Sequence, residues 1–348
     1  MSSQSQSHSA FGAFQQVNEV DASVDEASYS IGVEQIVQQI KETADKLITD
    51  RTARGDVKLL STALKELRYS FKVFGQYERM RKVTVFGSAR LKPDHPSYLQ
   101  AIEFSKRMVQ HQFMVITGAA SGIMEAGHVG AGRDMSIGIN IQLPFEQSAN
   151  PIIQGDKKLM NLKYFFTRKL MFVKEAEAVV LFPGGFGTLD EGFEVLTLLQ
   201  TGKSHLFPIV MVDEPGGDFW RRCRDFIQHC LLDRGMISPA DMSLFRLTDS
   251  VDEAVDEVLG FYRVYHSMRY VNGELVLRLL SPLPAKLLES IRHEFADIVE
   301  SGTISACDSL PQEANESQLV HLPRLKFWFD RKNLGRLRQM IDRINQEG

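Results

Sequence analysis

Between residues 82 and 212, short apolar runs alternate with amphipathic stretches, and this alternation leaves few architectures open to the chain. The apolar runs fall at 82–86, 113–117, 136–143, 178–182 and 207–212. Helical periodicity fills 98–110, 122–133, 157–175, 188–201 and 217–232, and a last helix is expected at 252–265. Short apolar strands interleaved with helices predict βαβ units around a parallel sheet covered on both faces. The expected class is α/β, a Rossmann-like doubly wound core spanning 82–268.

The flanks have a different character. Residues 1–30 are rich in Ser, Gln and Ala and are expected to form a disordered tail. Over 31–81, Val33, Ile36, Val37, Ile40, Ala44, Leu47 and Ile48 recur at helical spacing, and a second run follows from 57. This N-terminal segment reads as a helical hairpin broken at Arg54-Gly55-Asp56. At the other end, 269–348 reads as a small α+β module: a strand at 275–280, a helix at 285–300, strands near 303–306 and 325–329, and a helix at 333–345. No catalytic signature lies in this module.

A net charge of -4 supplies no general attraction for nucleic acid or an anionic membrane. Neither partner is expected, and a nucleotide ligand would have to be gripped by local groups. The three cysteines form no CxxC pair, as in a reducing compartment. No apolar run approaches the roughly 20 residues of a membrane helix. The first residues lack the basic-then-apolar order of a secretion signal, so the cytoplasm is expected.

Ligands of a doubly wound sheet sit at the carboxyl ends of its strands. Three expected strand ends here carry small residues: Gly87-Ser88-Ala89, Gly118-Ala-Ala-Ser-Gly122 and Pro183-Gly-Gly-Phe-Gly-Thr188. Glycine lets the backbone approach a phosphate, and the free N–H groups of the next helix turn bind it. Familiar nucleotide patterns fail on these loops. Gly185-Phe-Gly187-Thr-Leu-Asp190 has Asp in place of the third glycine of a dinucleotide fingerprint. Thr201-Gly202-Lys203-Ser204 imitates the end of a Walker loop, but it follows a helix and has Thr197 where a glycine is required. His293-Glu294 lacks the second histidine of a zinc protease, Asp297 standing there. The nine histidines show no metal-ligand spacing, so no metal is expected.

Thr188 and Glu191 have the spacing of a helix-capping box, which would give Glu191 a purely structural role. Its other reading is a carboxylate at the mouth of the phosphate loop, with Glu194 one turn further on. Asp190 reads as a solvated first-turn charge. Arg168 and Lys169 lie on a helix dense with Tyr164, Phe165, Phe166, Leu170, Met171 and Phe172. Lys169 reads as a head that snorkels to water. Arg168 shares a face with Phe165 and Phe172, and its planar fork suits phosphate or ribose oxygens.

Taken together these residues resemble the LONELY GUY (LOG) family of phosphoribohydrolases, formerly described as lysine decarboxylases. The carrying motifs are Pro183-Gly-Gly-Phe-Gly-Thr-Leu-Asp-Glu191 and Phe165-Phe-Thr-Arg168-Lys169, with flanking matches at 83–88, 115–125 and 138–151. The likeness spans about residues 80–265 and excludes both flanks; those flanks resemble the longer bacterial members. It implies hydrolysis of the N-glycosidic bond of a nucleoside 5′-monophosphate, giving free base and ribose 5-phosphate. The base could be an ordinary purine, a pyrimidine or a cytokinin. By matched motif positions, Arg168 and Glu191 would be the catalytic pair. Gly184, Gly185, Phe186, Gly187 and Thr188 would hold the phosphate. Gly87, Ser88, Gly118, Gly122, Met124, Glu125, Lys169 and Glu194 would surround the substrate, with Glu146 and Thr197 lining its pocket. No cofactor is implied, and a homodimer or higher homo-oligomer is. The second loop often reads GGG in relatives, so the methyls of Ala119 and Ala120 are expected to narrow the backbone approach.

Two alternatives come from other classes. A non-catalytic nucleotide sensor or carrier on the same fold would need neither Arg168 nor Glu191 in place. An NAD-linked oxidoreductase is weakened by the failed fingerprint.

Overall fold

The computed structural model of the protein describes residues 26–142, 148–313 and 316–348. The chain divides into two units, Met1–Leu60 and Ser61–Gly348. In the first, helix α1 (Glu26–Thr49) leaves Val33, Ile36, Val37 and Ile40 exposed. Helix α2 (Arg54–Phe74) begins where the hairpin break was expected. The turn instead occupies 50–53, with Arg51 at φ 54°. The carbonyl of Ala53 accepts from the amides of Asp56 and Val57, so Gly55 and Asp56 form the first helical turn. A carboxylate there suits the helix dipole. Helix α1 also starts earlier than the expected residue 31.

The second unit is built on a seven-stranded sheet of order β4-β3-β2-β1-β5-β6-β7, every pair parallel. Its strands are β1 (Lys82–Phe86), β2 (Met114–Thr117), β3 (Ser136–Ile141), β4 (Leu159–Leu162), β5 (Ala178–Leu181), β6 (Ile209–Val212) and β7 (Arg246–Thr248). β1, β2, β3, β5 and β6 are buried throughout, as strands with helices on both faces must be. The crossovers carry α3 (Pro96–Gln110), α4 (Ile123–Ala131), α5 (Phe165–Lys174), α6 (Phe186–Gln200) and α7 (Phe219–Phe226), and α8 (Val251–Gly260) follows β7. Chain order runs outward from β1 on one side and from β5 on the other, so the crevice between their carboxyl ends is the topological switch point.

Several expected bounds shift. β4 lies inside the stretch 157–175 expected to be one helix, and α5 begins only at Phe165. Four residues are too few to show a period of two, and pairing with β3 from Gly138 to Ile141 decides their state. The three-residue edge strand β7 went unread for the same reason. α7 continues into a wider-wound segment, Ile227–Leu232. α8 ends at Gly260, and Tyr265 already begins a strand.

That strand, β8 (Tyr265–Val271), joins β9 (Glu274–Leu279), β10 (Val299–Cys307) and β11 (Arg324–Phe329) in an antiparallel sheet of order β10-β11-β9-β8. Helix α9 (Ala285–Glu294) stops short of the expected residue 300, which belongs to β10. Helix α10 (Leu334–Glu347) closes the chain. One apolar cluster runs from Ile139 and Leu181 through Phe261 to Leu277, Phe327 and Ile341, so the two sheets share a core. Glu313, fully buried, is held by Arg278 and Arg324. Among the described residues no helix is long and apolar enough to cross a membrane.

Candidate active site

The three glycine-bearing loops meet at the switch point, and main-chain hydrogen bonds tie them together. The Ser88 amide donates to the Pro183 carbonyl at 3.0 Å, and Phe182 donates to Phe86 at 2.9 Å. The Ile123 amide, first in α4, donates to the Ser88 carbonyl at 3.0 Å. Gly122 precedes it at φ +66°, where a Cβ would lie 2.2 Å from the Ser88 carbonyl oxygen. A Cβ on Gly184 would lie 2.1 Å from the Thr188 hydroxyl and 2.9 Å from the Ser88 amide nitrogen. Close backbone approach therefore requires glycine at both positions.

Helix α6 opens on Gly185 with no side chain capping it. The amides of Phe186 and Gly187, the first two of the helix, precede any acceptor of its own hydrogen-bond ladder and lie at its positive end. Gly185 and Gly187 have open space where a Cβ would stand, and Phe186 between them is 93% exposed. This is the geometry of an anion cradle. It also decides against the capping box. The Thr188 amide donates to the Gly185 carbonyl, so Thr188 lies within the helix and Glu191 is not its reciprocal cap.

Glu191 is only 6% exposed, and its Oε2 accepts no hydrogen bond. Burial pushes its carboxyl up to about 7, against the pull of Lys169 and Arg168 and with reinforcement from Glu194 and Asp190. Lys169 is no snorkelling head. Its Nζ lies 3.6 Å from Glu191 Oε2 and 2.9 Å from Asp190, and it bonds Glu194 directly. Burial works against the Lys169 charge, but Glu194 and Asp190 outweigh it and raise the ammonium's pKa. Asp190 is thus paired rather than simply solvated.

Arg168 comes to the same place from α5. Its guanidinium lies 5.0 Å over the Phe172 ring, and its Nε is buried without a partner. Burial lowers its pKa, and the nearby Glu191 carboxylate works in the opposite direction. A Cβ on Gly118 would fall 2.6 Å from Arg168 Nη2 and 2.7 Å from Met124 Sδ, so both side chains rest against that glycine. A buried carboxyl and a half-buried guanidinium, each with a buried and unused polar atom, thus stand beside an anion cradle. This combination characterises reactive sites more than structural ion pairs.

The Thr197 hydroxyl donates to Phe193 within α6 and is exposed. Glu125 acts on Tyr98 of α3, raising that phenol's pKa after burial has done so. Glu146 lies outside the described residues. Ala119 does not narrow the loop: at φ +61° its methyl turns inward, against Ala149 and Ile153.

A buried network beneath the second loop was not visible in the sequence. His128 Nε2 lies 3.0 Å from the Thr117 hydroxyl, which accepts from the Ala119 amide. Asn150 faces His128 Nδ1, donates its side-chain amide to Ala120 and its backbone amide to Ala119. Burial lowers the His128 pKa from 6.5 to about 4. Its stabilisation is therefore complete above pH 6.5 and lost as pH falls through about 4, a difference of about 3 kcal/mol. Urea unfolding across that window, in a variant lacking the opposing titration of Glu191, should show stability falling with acid; a flat profile would mean that His128 is protonated in the folded state.

Comparison with known proteins gives this site a lineage. A family model described as "Possible lysine decarboxylase" matches residues 116–258. A probable cytokinin riboside 5′-monophosphate phosphoribohydrolase of Oryza sativa subsp. japonica is 24% identical over 185 residues, 51% of this chain and 76% of its own. The Arabidopsis thaliana cytokinin riboside 5′-monophosphate phosphoribohydrolase LOG7 is 30% identical over 168 residues, 46% of this chain and 73% of its own. The chain belongs to the LOG family. A Mycobacterium tuberculosis relative with the same activity in its name is 40% identical over 88 residues, covering 25% of this chain and 45% of its own. Arg168 and Glu191, 23 positions apart in sequence, are near enough in the fold for each to act on the other's charge.

Proposed function

We propose that this protein hydrolyses the N-glycosidic bond of a nucleoside 5′-monophosphate, releasing free base and ribose 5-phosphate. The observation that carries this reading is the pairing of buried Glu191 with half-buried Arg168, each with a buried, unbonded polar atom, beside the first turn of α6. In it, the 5′-phosphate sits on the α6 amides and supplies binding energy remote from the reacting bond. The sugar then lies toward Glu191. As the bond to the base breaks, positive charge grows on the ribose ring, and the Glu191 carboxylate stabilises it. Water adds its oxygen to the anomeric carbon and gives its proton to Glu191, while the base nitrogen leaves with the bonding pair and takes up a proton. Arg168 orients the substrate and balances its negative charge.

The test is incubation with a panel of purine, pyrimidine and cytokinin nucleoside monophosphates, measuring ribose 5-phosphate and free base. Binding without release from any of them would overturn the hydrolase reading in favour of a nucleotide carrier.

The same reading includes a homodimer in the cytoplasm. Phe165, Phe166 and Leu170 on α5, with Phe186 and Phe193 on α6, leave apolar surface exposed beside the site. Sedimentation of the wild type should give a dimer, and Phe166→Asp should shift it toward monomer. A monomeric wild type at micromolar concentration would remove this part of the proposal.

A further inference from the structure

Helix α5 carries Arg168 and Lys169, yet its own sequence cannot cap it. Tyr164 stands at the N-cap and makes no side-chain cap bond. A carboxylate at its start comes instead from residue 66, nearly a hundred positions earlier in the chain. Glu66 Oε1 accepts from the Lys163 amide at 2.8 Å, and Oε2 lies 2.7 Å from the Thr167 hydroxyl. The Thr167 hydroxyl also lies 2.9 Å from the Tyr164 carbonyl. It has one proton to give, and the charged acceptor at the shorter distance is the stronger partner.

We infer that Glu66 is a positioning residue for the catalytic helix, acting through Thr167 on the adjacent Arg168. Three features support the assignment. A carboxylate at the start of α5 meets the positive end of the helix dipole and holds the Lys163 amide just ahead of the N-cap. Thr167 is fully buried, so its hydroxyl has no recourse to water. The contact also belongs to a longer seam. Ala63, Ser70, Val73 and Phe74 of α2 are buried, and Lys174 at the far end of α5 lies 5.3 Å over the Phe71 ring. Arg168 has no hydrogen bond of its own at Nε to fix its direction, so the placement of its helix sets where the guanidinium points.

Glu66 lies outside the stretch matched by the family model, 116–258. The inference therefore gives residues 61–74 of α2 a task in the chemistry of a site that they do not line. It rests on the hydrolase reading for its kinetic consequences, but not for its structural ones.

The test compares Glu66→Ala, Glu66→Gln, Thr167→Val and the double variant Glu66→Ala/Thr167→Val. Glu66→Ala should lower kcat about 10-fold to 10²-fold, through a small displacement of Arg168, with KM changed far less. Glu66→Gln, which keeps an acceptor, should recover part of the loss. The double variant should be no worse than the worse single one, because both remove one contact. Amide hydrogen exchange of 163–170 should quicken in Glu66→Ala, and this readout needs no turnover. A lowered melting temperature with unchanged kcat and unchanged exchange in α5 would overturn the inference. Inactive wild type with quickened exchange in Glu66→Ala would instead sink the hydrolase reading and leave the brace standing.

Discussion

Glu191→Gln should cut kcat for ribose 5-phosphate release by about 10²- to 10³-fold, with binding of the nucleotide largely kept. The amide preserves shape but cannot carry the charge that a developing oxocarbenium requires. The wild type should also lose activity as pH falls through about 7, because burial holds the Glu191 carboxyl there and the proposed mechanism needs its ionised form. No such limb should remain in the variant.

Stability should move the other way. A carboxyl raised in the folded state stabilises below its unfolded value of 4.5 and loses that contribution as pH rises through about 7. Near pH 8 the Gln variant should therefore exceed the wild type by up to about 3 kcal/mol. Between about pH 4.5 and 6.5 the trends of Glu191 and His128 oppose each other, so the wild type should be nearly flat where the variant slopes. Full activity in Glu191→Gln would end its catalytic assignment. Equal pH–stability curves would end the claim that its burial raises the carboxyl.

The largest loss of stability at the site is expected from Gly122→Ala. The new methyl would meet the Ser88 carbonyl oxygen at 2.2 Å and the Ala89 backbone at 2.7 Å, at a φ of +66°. Backbone cannot step aside as a flexible side chain can. Conformational strain of ~1–3 kcal/mol adds to an overlap cost of ~1–3 kcal/mol, about 2–6 kcal/mol in all. Gly132→Ala supplies the control, since Gly132 has φ +72° but open space around the missing Cβ. It should carry strain alone. If urea midpoints fall equally in both variants, the tie between the first and second loops is not what holds Gly122.

The parts of this molecule legible in its sequence are those fixed by local chemistry. Glycines after apolar runs marked the loops of the cradle, and the buried strands β1, β2, β3, β5 and β6 appear close to their expected bounds. What escaped depends on partners distant in the chain. β4 is a strand because β3 offers it a ladder, and nothing within Leu159-Met-Asn-Leu162 says so. Thr188 and Glu191 have capping-box spacing, but the helix already starts at Gly185, whose carbonyl accepts from the Thr188 amide. Ala119 looked like an obstruction until its φ of +61° turned the methyl into the core. Glu66 bore no mark at all, being one charge on an amphipathic helix. Lys169 looked like a surface head because its acidic partners lie on the next helix of the fold.

The hydrogen bonds between the first and third loops also set a timetable for synthesis. β1 pairs with β5 at Val83 and Ala178, so the crevice cannot close until a strand made early meets one made much later. At ~5–20 residues per second the ribosome takes roughly 5 to 20 s to cover that distance, and β1 must wait for its second neighbour throughout. A fragment trimmed to 116–258 would contain Arg168 and Glu191 and still lack β1 and the Ser88 amide that holds Pro183. The reactive pair would be encoded in such a piece, but the frame that places it would not.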